Sequence, residues 1–116
     1  MDVVIYHNPR CSKSRQTLSL LEENGVSPSV VLYLETAPTV DELKDVYAQL
    51  GFSTVREMMR TKEDQYKALN LSDNSLSDLD LFTAMHNHPK IIERPIVITN
   101  NQAKIGRPPE QVLEIL

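Results

Sequence analysis

The chain has a single cysteine, Cys11, among 116 residues. One thiol excludes an intramolecular disulfide, so any redox cycle here has to take its second thiol from another molecule. No apolar run approaches the roughly 20 residues that cross a bilayer, and the N-terminus lacks the basic-then-apolar pattern of a secretory signal. A cytoplasmic protein with no membrane partner is expected. Basic residues are outnumbered, 12 Lys and Arg against 16 Asp and Glu, for a formal net charge of −4. That balance argues against nonspecific nucleic-acid binding, whose domains are usually basic. An anion site on such a chain must be built locally, from a few clustered arginines. Repeats, low-complexity tracts and linkers are also absent, and the length suits one domain, residues 1–116, with one core.

What is present is organised around Tyr6-His7-Asn8-Pro9-Arg10-Cys11-Ser12-Lys13-Ser14-Arg15. This stretch follows the apolar run Val3-Val4-Ile5 and precedes a helical pattern at Leu18, Leu20 and Leu21, which reads as strand, polar turn and helix. Cys11 is expected in the first helical turn, where free amide N–H groups and the helix dipole favour negative charge. Arg10, Lys13, Arg15 and a protonated His7 would add to that effect. Thiol pKa values drop from about 8.5 to roughly 3.5–7.5 in such settings, and the same amides offer a pocket for an oxyanion. A lone cysteine is commonly an inert small core residue. The polar, cationic surroundings of Cys11 favour a nucleophile beside an anion site instead.

The remaining pattern fixes a fold class. The first helix is expected over Ser12–Asn24 and ends near Gly25; Val30–Leu34 is a second strand, parallel to the first through a βαβ connection. Thr39-Val40-Asp41-Glu42 is a capping box ahead of Leu43, Val46, Tyr47 and Leu50 at helical spacing, ended by Gly51. Residues 53–86 read as further helix, with Val55, Met58 and Met59 on one apolar segment and Leu79, Phe82 and Met85 on another. Ser77 is the expected N-cap of the latter, and Tyr66 and Leu69 could anchor a short helix in the polar stretch between. A third strand starts at Arg94-Pro95, turns at Asn100-Asn101 and pairs as a hairpin with Ala103–Ile105. Arg107-Pro108-Pro109 opens a last helix with Val112, Leu113 and Leu116 inward. The order βαβ, helices, ββα is that of an α/β, thioredoxin-like fold: a mixed four-stranded sheet with flanking helices and a helical insertion at about 39–88.

Within that fold the start of the third strand faces the cysteine turn, which puts Arg94 near Cys11, and Arg107 reaches the same edge. Guanidinium groups hold tetrahedral oxyanions in a fork that lysine lacks. Pro95 occupies a position that is usually cis in this fold, although few X–Pro bonds are cis overall. Other chemistries fall away. A low-molecular-weight phosphatase loop needs an arginine six residues after its cysteine, where Thr17 stands, and a dithiol motif needs a second cysteine at Ser14. His86-Asn87-His88 has no matching ligand cluster and reads as a polar helix end, so no metal is expected. Met58, Met59 and Met85 read as core filler.

The Tyr6–Arg15 motif, Leu32-Tyr33-Leu34-Glu35, Arg56 to Arg60, Ile91–Val97 and Ile105-Gly106-Arg107-Pro108-Pro109-Glu110 together resemble the glutaredoxin-coupled arsenate reductase family, in order and over essentially the whole chain. The residues after the cysteine, Ser12-Lys13, differ from the Gly-Thr of plasmid-encoded members. The resemblance implies that Cys11 attacks arsenate held by Arg60, Arg94 and Arg107, with His7 helping to depress the thiol pKa and Asn8, Ser14 and Arg15 around the anion pocket. It implies no bound cofactor, glutathione as cosubstrate, glutaredoxin as partner and a monomer. Two other functions share the fold. One is an Spx-like regulator that binds RNA polymerase, which often carries the dithiol switch that Ser14 removes here; the other is a glutathione-dependent thiol reductase, which would need Cys11 but tolerate loss of Arg60 and Arg107.

Overall fold

A computed structural model describes residues 2–116. The chain forms two compact units, Met1–Thr36 with Arg94–Leu116, and Ala37–Glu93. The second corresponds to the expected insertion, with wider bounds than 39–88.

The first unit is built on one mixed sheet. Strands β1 (Val4–Tyr6), β2 (Ser29–Val31), β3 (Ile96–Thr99) and β4 (Gln102–Ile105) lie in the order β2-β1-β3-β4. β1 is parallel to β2 and antiparallel to β3, which is antiparallel to β4. That is the thioredoxin-like arrangement. The β3–β4 turn is the pair Asn100-Asn101, both at positive φ (54° and 59°), as a two-residue type I′ hairpin requires. β2 is shorter than the apolar run Val30–Leu34 suggested. It is an edge strand, Val30 is 46% exposed, and Leu32–Leu34 turn away from the ladder. An apolar run records hydrophobicity but not whether a neighbouring strand is there to pair with it.

Helix α1 (Ser12–Glu23) closes in a Schellman motif. Gly25, at φ +75°, donates to Glu22 O at 3.0 Å, and Val26 donates to Leu21 O at 3.0 Å. The α1 face carrying Leu21 packs with Val3, Ile5, Val97, Val112 and Ile115 as the core of this unit. The last segment, Pro109–Ile115, is 3₁₀ rather than α-helical, and its buried residues are Pro109, Val112 and Ile115. Three residues per turn stack i and i+3, so Ile115 takes the inward place expected for Leu113.

The second unit is helical. α2 (Val40–Leu50) starts at a complete capping box, Thr39 with Glu42, and ends at Gly51 in the left-handed region. α3 (Asp64–Ala68) is one short turn, and α4 (Asp78–Asn87) has Ser77 and Asp80 as a reciprocal cap. The Val55–Met58 segment is 3₁₀. α2 packs on α4, where Tyr47 and Phe82 meet edge to face at 5.8 Å. Met58, Met59 and Met85 are core residues. Leu79 and Leu69 are not anchors: Leu79 is 54% exposed, with Leu81 buried in its place, and Leu71 is buried where Leu69 is open.

Candidate functional site

Cys11 is the N-cap of α1, directly before the helix start expected at Ser12, with φ −93° and ψ 125°. The N-cap position is where a side-chain acceptor meets the N–H groups of N2 and N3, here Lys13 and Ser14. The sulfur is thus placed where a serine or aspartate oxygen would cap. Burial by itself pushes the thiol pKa up, since the side chain is only 8% exposed. The amide of Ser14, the guanidinium of Arg94 as hydrogen-bond donor and as charge, and the amide of Lys13 outweigh it, and the net pKa is lowered. Sγ makes no capping hydrogen bond, so the two amides act through their dipoles at close range. The first turn of α1 carries no carboxylate that would cancel them.

The loop ahead of the thiol is held from inside. Ser14 Oγ, fully buried, accepts the Asn8 N–H at 2.9 Å and shares a hydrogen bond with His7 Nδ1 at 2.6 Å. Asn8 Oδ1 accepts from Arg10 N–H at 3.0 Å, Asn8 O accepts from Cys11 N–H at 3.0 Å, and Arg15 Nη1 donates to Pro9 O at 2.9 Å. His7 N–H donates to Val31 O at 2.9 Å, fixing the loop to β2. His7 is not the cation expected beside the thiol. Burial first, and then the charge of Arg15, lower its pKa, so near neutral pH the ring is uncharged. The side-chain charge that lowers the thiol pKa is that of Arg94, not those of Arg10, Lys13 or Arg15.

Arg94 and Arg107 come from the two ends of the β3–β4 hairpin. Arg107 Nη2 donates to Cys11 Sγ at 3.6 Å, and Arg107 Nε donates to Arg94 O at 2.9 Å. Arg94 Nε and Nη1 are buried with no protein acceptor. A buried donor without a partner is costly, and an oxyanion beside the thiol would satisfy both. The Arg94–Pro95 and Arg107–Pro108 peptide bonds are both cis. Gly106 sits between these arginines and α1. A Cβ there would collide with Thr17 Oγ1 and stand 2.8 Å from Pro95 Cγ, while Gly106 N–H donates to Pro95 O at 2.9 Å. Sequence reasoning missed this tight contact. Its only signal is a glycine immediately before Arg107-Pro108-Pro109.

Arg60 belongs to the helical unit. It follows the Val55–Met58 turn, its N–H donates to Ile91 O at 2.7 Å, and its guanidinium pairs with Glu63 at 2.9 Å and Glu93 at 3.8 Å. Arg56, four residues earlier, donates to Leu71 O at 3.0 Å and Asp73 O at 2.8 Å and braces that loop. His86 Nδ1 lies 2.8 Å from Pro38 O, and among the described residues no group of three or more His, Cys, Asp or Glu could hold a metal ion. Nor is any described helix long and apolar enough to cross a membrane.

Comparison with known proteins gives the same motifs a wider setting. The model of the ArsC family matches residues 6–115. An arsenate reductase of Haemophilus influenzae is 56% identical over 116 residues, covering 100% of both chains. A protein of Escherichia coli K12 named uncharacterized protein YfgD is 62% identical over 114 residues, 98% of this chain and 96% of that one. The structure of an arsenate reductase from Vibrio cholerae superposes with a TM-score of 0.99 at 66% identity, covering 100% of this chain and 98% of that one.

Proposed function

The chain belongs to the ArsC family, and from that premise we propose that it reduces arsenate to arsenite through a covalent thiol–arsenic adduct on Cys11, with glutathione and glutaredoxin as the source of electrons. The observation that carries this reading is a buried thiol of lowered pKa with Arg107 Nη2 at 3.6 Å and the unpaired donors of Arg94 beside it. A nucleophile and donors for a tetrahedral oxyanion meet at one point.

Cys11 thiolate attacks arsenic and displaces one oxygen, which leaves as water after protonation, so an S–As bond replaces an As–O bond with arsenic still pentavalent. A glutathione thiol displaces a second oxygen as water in the same manner. Attack by a glutaredoxin thiolate on the glutathione sulfur forms a mixed disulfide and returns the electron pair of the As–S bond to arsenic. Two thiols are then oxidised to one disulfide and arsenic is reduced by two electrons. Water releases arsenite from Cys11. The single cysteine agrees with this scheme, because both electrons come from external thiols. By resemblance the reading takes Arg60 as a third arginine for the oxyanion.

The test is arsenate-dependent oxidation of NADPH with glutathione, glutathione reductase and glutaredoxin all supplied. Activity that needs both thiol systems and vanishes in Cys11→Ser supports the reading; normal turnover by Cys11→Ser overturns it. Arg94→Gln and Arg60→Gln are expected to raise KM for arsenate or lower kcat.

A further inference from the structure

Arg60 differs from Arg94 in what its guanidinium already holds. Arg94 Nε and Nη1 are buried with no protein acceptor. Arg60 has two carboxylates on it: Nη1 lies 2.9 Å from Glu63 Oε2, and Nε lies 3.8 Å from Glu93 Oε1. Glu63 also faces Lys90, whose Nζ is 3.7 Å from its other oxygen. Two cations and two carboxylates make this cluster neutral in sum, so it presents no net positive charge to an incoming anion. The side chains of Glu63 and Glu93 are only 18% and 23% exposed, so water and salt screen them less than an open surface pair.

The main chain holds these side chains together. Arg60 N–H donates to Ile91 O at 2.7 Å, Glu93 N–H to Met58 O at 2.9 Å and Glu63 N–H to Arg60 O at 3.1 Å, and Met59 forms an antiparallel bridge with Ile92. Arg60 can therefore change partner by turning its side chain, with no movement of the backbone. Glu93 immediately precedes Arg94, so the chain itself links the cluster to the guanidinium that lowers the Cys11 pKa.

We propose that Glu63, with Glu93 beside it, is a built-in competitor of the substrate: it occupies Arg60 at rest and releases it to the oxyanion, keeping Lys90 as its own partner. The proposal rests on the arsenate-reduction reading, in which Arg60 is the third arginine. Glu63 is the stronger competitor of the two, because its contact with the guanidinium is direct. An oxyanion that takes Arg60 must displace a carboxylate or share the guanidinium with one, so affinity is set lower than an unpaired arginine would give. Glu63 is thus a positioning residue, acting through Arg60 without touching substrate.

Two readouts on the full chain test this: KM for arsenate in turnover, and protection of Cys11 from iodoacetamide by arsenate, which needs no turnover. Glu63→Gln keeps the shape of the side chain and removes its charge. It is expected to lower KM about three- to fivefold with kcat unchanged, the scale of one partly exposed charge pair. The arsenate concentration that half-protects Cys11 should fall by the same factor. Arg60→Gln should raise both values, and adding Glu63→Gln to it should change neither further, because the carboxylate acts through that guanidinium. The proposal is overturned by an equal gain from Glu63→Gln with Arg60 already replaced, which would make the effect one of net charge, or by an Arg60→Gln variant with both values unchanged. Arsenate turnover with KM unchanged or raised in Glu63→Gln loses the competitor and leaves the functional reading. Tighter protection by arsenate in a Glu63→Gln chain that turns none over keeps the competitor and loses the functional reading; no protection in either form overturns both.

Discussion

Arg107 Nη2 lies 3.6 Å from Cys11 Sγ across 96 positions of sequence. The same guanidinium holds the carbonyl of Arg94 through Nε at 2.9 Å, so one side chain ties both ends of the β3–β4 hairpin to the cap of α1. The thiol is buried, and burial alone would keep it protonated. The amides of Ser14 and Lys13 and the guanidinium of Arg94 reverse that.

Cys11 should therefore react as a thiolate at lower pH than an ordinary cysteine, whose pKa is about 8.5. The midpoint of its iodoacetamide alkylation rate against pH reads this directly. Arg94→Gln removes the guanidinium that acts both as donor and as charge, and the midpoint should move up. An unmoved midpoint would assign the effect to the amides of Ser14 and Lys13 alone.

Ser14→Ala takes the acceptor from the Asn8 N–H and the partner from His7 Nδ1 in one step. Leaving such buried groups unpaired costs about 1–3 kcal/mol each. A comparable loss in urea unfolding is expected, together with slower alkylation of Cys11 at neutral pH as the loop loosens.

Gly106→Ala should disturb the site without touching substrate. The added methyl meets Thr17 on α1 and Pro95 beside Arg94, and neither neighbour is the free end of a flexible chain. Overpacking of this kind costs about 1–3 kcal/mol. Denaturant unfolding should show that loss, with a drop in Cys11 reactivity; wild-type values for both would mean that the segment shifts freely.

The uncharged state of His7 gives the fold an acid-side weakness. Its pKa is lowered in the folded chain, so the unfolded chain binds the extra proton first, and stability is lost as pH falls below about 6.5 toward the folded value. His7→Gln removes that titration. The stability difference between the wild type and this variant should therefore shift in favour of the variant as pH falls from about 7 to 5 in urea titrations.

Local chemistry written into the chain settled much of this molecule. Thr39 with Glu42, Ser77, Gly25, Gly51 and Asn100-Asn101 act within a few residues of themselves, so their caps and turns are legible without the fold. The same is true of a strand, polar loop and helix that bring one cysteine to a helix start. Packing decided the rest. Leu81 is buried and Leu79 open because of what lies against α4, and Ile115 turns inward because the last segment winds as 3₁₀. The cations nearest Cys11 in sequence do not include the one that lowers its pKa: Arg15 is spent on Pro9 and on the neutral state of His7, whereas Arg94, which does lower it, arrives through the pairing of β1 with β3. Charge acts through distance in space, and only the folded sheet sets that distance.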